Sequence, residues 1–81
     1  MKPNPGEMVV LIGLPEGFLD DLPAEDQLAI REVVGKPILL NEYDECGRAE
    51  LEFTDSDGTV HHIYVGPKFI RESGGEKWNP D

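Results

Sequence analysis

Two adjacent histidines, His61 and His62, follow Asp55, Asp57 and Gly58 in the stretch DSDGTVHHIYV (55–65), and a single cysteine, Cys46, lies in YDECG (43–47). Aspartate, histidine and cysteine are the side chains that ligate zinc or build a nucleophile and base. Glu50 and Glu52, two positions apart, are the types a general acid–base pair needs. Each of these chemistries demands a geometry, and local structure decides whether the chain can supply it.

Metal ligation fails first. Successive side chains of a strand point to opposite sheet faces, so His61 and His62 cannot grip one ion from the same strand. Calcium fares no better. Aligning Gly58 with the glycine of an EF-hand loop puts Phe53 at the first ligand position and Tyr64 at the twelfth, where a bidentate Glu is needed. The same test on Gly47 leaves Cys46 and Phe53 in ligand positions. Both glycine loops therefore read as turns. Cys46 and His61 are separated by about seven residues of intervening strand, roughly 23 Å at 3.3 Å per residue, whereas a catalytic pair needs hydrogen-bond reach. Serine occurs only as Ser56 and Ser73, and neither GLPEG nor SGG has the lysine or the context of a phosphate loop. No catalytic residue, metal ligand or cofactor is assigned. Glu50 and Glu52 fall on one face of a strand, which reads first as a solvated face.

The elements that must position these residues follow from periodicity. MVVLI (8–12) is a short β-branched run closed by Gly13 and Pro15, a buried first strand. The period then changes. Pro23 suits a first helical turn, Asp20, Asp21, Glu25 and Asp26 place negative charge at the positive end of the helix dipole, and Gly35 with Pro37 is a stop signal, giving a helix over 23–34. On it Leu22, Ala29, Ile30, Val33 and Val34 share the side expected to cap the core, while Leu28 is apolar on the opposite side.

KPILLNEY, RAELEFT and TVHHIYV then read as three strands in antiparallel succession, joined by the turns DECG and DSDG. Ala49, Leu51 and Phe53 alternate with Arg48, Glu50, Glu52 and Thr54, one face packed and one wet. A three-residue loop Ser56-Asp57-Gly58, with Gly58 left-handed, sets Phe53, Leu51 and Ala49 opposite His61, Ile63 and Val65. A four-residue loop would instead bury Val60, His62 and Tyr64, exchanging two branched aliphatics for a histidine and a tyrosine. The first register is therefore expected. GPKFIRES adds a Gly66-Pro67 turn and a last short strand around Phe69 to Arg71.

Eighty-one residues give one domain with one small core. The organisation expected is a flexible lead-in (1–7), a domain (8–72) and a flexible tail (73–81) that carries Trp78. Seventeen Asp and Glu against seven Lys and Arg give a formal net charge of −10. That field repels nucleic acid and anionic membrane surfaces and attracts basic partners. With one cysteine there is no intrachain disulfide, and the apolar run from Met8 to Leu14 is too short for a signal core or a membrane span, so a cytoplasmic monomer is expected.

A strand, a long insertion carrying a helix, three tight antiparallel strands, a Gly-Pro kink and a closing strand make a mainly β chain. The layout is that of a small SH3-like five-stranded barrel with one short helix in the first long loop, and closing the sheet would hide its edges. An open α+β meander is the alternative. The segments GLPEGFLDDLPAEDQLAIREVVGKPILL, YDECGRAELEFTD and HHIYVGPKFI, together about two-thirds of the chain, resemble a group of uncharacterised short bacterial proteins. That resemblance implies an SH3-like barrel in bacteria and carries over no activity and no site residue. The first loop has Phe18 as its one aromatic, so the aromatic groove that receives polyproline is not expected.

The function expected is a non-enzymatic acidic interaction module. Glu50 and Glu52 point outward on one strand and His62 and Tyr64 outward on its neighbour, a surface suited to Arg or Lys of a basic protein. Two alternatives stand beside it: a metal- or thiol-dependent activity built at a dimer interface, where Cys46 meets a histidine of another chain, and an autonomous structural domain.

Overall fold

A computed structural model describes residues 2–73. Strand β1 (Met8–Leu11) lies between two neighbours, pairing with β2 (Pro37–Tyr43) on one side and with β5 (Ile70–Glu72) on the other. Val9, Val10 and Leu11 are all buried, which explains why the run is continuously apolar rather than alternating. Ile12 leaves the sheet. Its N–H donates to the Phe69 carbonyl at 2.8 Å, and its side chain is exposed.

The chain then crosses to helix α1 (Ala24–Val33), where the N–H groups of Asp26 and Gln27 both donate to the Pro23 carbonyl at 3.0 Å. Glu25 and Asp26 occupy the first turn and Arg31 the last, charges that match the helix dipole at each end. Ala29 and Ile30 are buried, and Leu22 and Val33 pack against the core. Val34 does not. It is the extended residue after the helix, so it departs from the helical angle that would have aimed it inward, and it is 36% exposed. Gly35 follows at φ +88° and donates its N–H to the Leu11 carbonyl, fastening the helix exit to β1.

The rest is a meander of β2, β3 (Ala49–Thr54) and β4 (Val60–Val65), then a 3-10 turn (Pro67–Phe69) into β5. The protein is mainly β, one antiparallel five-stranded sheet in the order β4-β3-β2-β1-β5 with one short helix. β4 and β5 stand at opposite edges and do not pair with each other, so the closure expected of a barrel is not made among the described residues. Among the described residues β4 pairs with β3 alone.

The β3–β4 register is the expected one: Ala49 faces Val65, Leu51 faces Ile63 and Phe53 faces His61. Ala49, Leu51, Phe53, Ile63 and Val65 join Val9, Leu11, Ile38, Leu40 and Ile70 in a single core beneath Ala29 and Ile30. In β2 the ladder is irregular: Leu40 faces Leu51 but Glu42 faces Glu50, leaving Asn41 as an extra residue in a bulge. Because of it Tyr43 faces Ala49 and packs on the core.

The lead-in is attached to the domain. Gly6 N–H donates to the Leu40 carbonyl, Leu40 N–H to the Glu7 carbonyl, and the Tyr43 hydroxyl to the Pro3 carbonyl at 2.7 Å. At the other end the Ser73 hydroxyl donates to the Met8 carbonyl. The remainder of the expected tail, Trp78 included, lies outside the described residues.

Candidate interaction surface

The two acidic glycine turns are built alike. In Asp44–Arg48 the Asp44 carboxylate accepts the N–H groups of Cys46 and Arg48 at 2.9 and 2.8 Å, and Gly47 sits at φ +84°. In Asp55–Thr59 the Asp55 carboxylate accepts those of Asp57 and Thr59 at 2.8 and 2.9 Å, and Gly58 sits at φ +86°. The aspartates that looked like ligands are satisfied by their own backbone. Both carboxyls are held below the usual range. For Asp44 the Arg48 amide is the main cause; for Asp55 it is His61, followed by the Thr59 amide.

The two histidines part as strand geometry requires. His61 lies on the inward side, its side chain 12% exposed, stacked on Phe53 with ring centroids 5.2 Å apart. Its Nε2 is 2.8 Å from Asp55 Oδ2 and its Nδ1 3.7 Å from Asp26 Oδ1. It joins the hairpin to the helix. Asp55 lies six positions upstream in the same hairpin and was open to inference from sequence, whereas Asp26 is brought in by helix packing alone.

His62 lies outward among the remaining predicted residues. Cross-strand pairing sets Glu52 beside His62 and Glu50 beside Tyr64, so all four occupy one solvent-facing patch. His62 Nε2 is 3.2 Å from Glu52 Oε1. The β2–β3 register adds Glu42 next to Glu50, and the bulged Asn41 donates its side-chain amide to Glu52 at 3.0 Å and to Glu50 at 3.4 Å. Arg48 completes the margin. Its Nε donates to Asp44 at 2.8 Å and its guanidinium lies 5.6 Å from the Tyr64 ring centroid. Arg48 falls on the wet face that the alternation of RAELEFT sets out and Asp44 is joined to it by the turn, whereas Glu42 and Asn41 depend on a bulge that cannot be read from the spacing of NEY.

The electrostatics of the patch are consistent. The Glu50 charge raises the Tyr64 phenol above its ordinary value, with partial burial and a hydrogen bond to Glu50 acting in the same direction, then Glu42 and Asp44. Hydrogen bonds from Asn41 and then His62 lower the Glu52 carboxyl. The result is a row of ionised acceptors beside a neutral aromatic face, an arrangement suited to guanidinium or ammonium groups.

Elsewhere, Cys46 is free and exposed in the first turn. Among the described residues no group of three His, Cys, Asp or Glu is placed to hold a metal ion, and no helix is long and apolar enough to cross a membrane. A groove of about 380 Å³ opens where β2 departs from β3, lined by Met8, Val33, Lys36, Leu39, Phe53 and Thr54. Compared with protein-family models, curated proteins and solved structures, the chain matches none.

Proposed function

We propose that the protein is a non-enzymatic interaction module whose outward β2–β3–β4 face binds a basic protein in the cytoplasm. Glu50, Glu52, His62 and Tyr64 form its centre, with Glu42 and Asp44 extending the negative field. The single observation that carries this reading is the register: Glu42, Glu50 and Tyr64 stand side by side across three strands, with Glu52 and His62 in the next row. Like charges directly opposite each other on neighbouring strands destabilise a sheet. Glu42 facing Glu50 thus has a cost to folding that a cationic partner would relieve.

The finer fold proposed is a partly open SH3-like barrel. The strand order β4-β3-β2-β1-β5 and the 3-10 turn before β5 support it. The test of function is a low-salt pull-down from native lysate beside the double variant Glu50→Lys, Glu52→Lys. A bound protein that is lost in the variant, and released as salt rises, supports the reading. Equal capture by both forms, or binding indifferent to salt, removes it.

A further inference from the structure

The acidic face ends at an edge. Among the described residues β4 pairs with β3 and with no other strand, and its six residues contain no proline, lysine or bulge, the features that commonly protect an exposed edge. The opposite edge differs, for β5 has three residues. Which β4 backbone groups are open follows from the turn. Asp55 N–H donates to the Thr59 carbonyl at 2.9 Å, so Asp55 and Thr59 are a bonded pair. Bonded and non-bonded pairs alternate along an antiparallel ladder. Phe53–His61, Leu51–Ile63 and Ala49–Val65 are then bonded pairs, and Val60, His62 and Tyr64 turn their N–H and C=O groups away from β3. All three are exposed, and His62 and Tyr64 carry their side chains on the acidic face.

We infer that β4 is the docking strand: the basic partner adds an extended segment along Val60–Val65, with Lys or Arg at alternate positions over the acidic face. Main-chain bonds to Val60, His62 and Tyr64 provide attachment, and side-chain alternation provides selectivity. An added strand lies two strand spacings, about 10 Å, from the Glu50–Glu52 row. That is roughly one Debye length at 0.1 M salt, so its cations feel both carboxylates, and one laid over Tyr64 also meets the ring. A second copy of this chain is the poorer occupant, because each copy brings a formal charge of −10.

This inference rests on the acidic-face reading, and one experiment separates the two. The intact protein is mixed at low salt with an eight-residue peptide alternating lysine and valine, and separately with the same peptide N-methylated at every amide, which keeps the charge and removes the donors. Amide exchange at Val60, His62 and Tyr64 is followed by NMR. The expected result is exchange slowed roughly tenfold or more by the first peptide and unchanged by the second, with the effect lost in the Glu50→Lys, Glu52→Lys variant. Salt-sensitive binding of both peptides with exchange at the three amides unchanged overturns strand addition and leaves the acidic face standing. Binding of neither peptide overturns both readings. Protection already present without peptide, and lost on dilution, assigns the edge to a second copy and overturns the inference.

Discussion

His61 lies nearly parallel to Phe53, the two ring planes 15° apart, while its Nε2 is 2.8 Å from the Asp55 carboxylate. One side chain thereby contributes to the core through its face and to the turn through its edge. The Asp55 carboxyl is lowered chiefly by that histidine. A carboxyl lowered in the folded state stabilises it fully above the unfolded value, near 4, and that stability is lost as pH falls through the folded value. Thermal melts from pH 6 to 2 are expected to show a steep acid limb that is flatter in Asp55→Asn. An identical limb in the two proteins would refute this role for Asp55.

Leu51 is fully buried and faces the equally buried Leu40 across β2 and β3. Leu51→Ala removes the transfer energy of its methyl groups and leaves a cavity, at a cost of about 2–5 kcal/mol. Urea denaturation measures it. A loss below about 1 kcal/mol is incompatible with this packing.

At Gly58 the space for a Cβ is open, so a substitution there tests backbone conformation alone. With φ at +86°, Gly58→Ala is expected to lose about 1–2 kcal/mol, and Gly58→Asn less, because asparagine visits the left-handed region more readily. Equal stability for glycine, alanine and asparagine would mean that the turn is not left-handed.

The Tyr64 phenol reports the field of the acidic face. Followed by NMR from pH 8 to 12, it is expected to ionise above the ordinary value of about 10 in the native protein and to move back toward that value in Glu50→Gln. An unmoved titration would place Glu50 away from the ring.

Much of this arrangement was legible because strand geometry is strict. The alternation in AELEFT sets which residues face inward, and the preference for burying Ile63 and Val65 over His62 and Tyr64 selects the three-residue loop, hence the register of His61 and His62. The helix was legible from Pro23, its acidic first turn and Gly35, but Val34 was assigned to the core on a helical angle it no longer has. The four predicted surface residues do lie together, whereas the Asn41 bulge that links two of them required the backbone path. The barrel was the least legible feature. Whether the outer strands meet depends on how far the sheet coils, a property of the whole sheet that no local spacing records.

The extra residue in β2 also bears on tolerance to insertion and deletion. Removing Asn41 would leave Leu40 opposite Leu51, Glu42 opposite Glu50 and Tyr43 opposite Ala49 in an unbroken ladder, at the cost of one amide and its two bonds to glutamate. Removing a residue from the middle of β3 would reverse the facing of everything beyond it and expose half the interior. Position 41 is therefore the place within the sheet where the chain can be shortened by one and still keep its inside and outside apart.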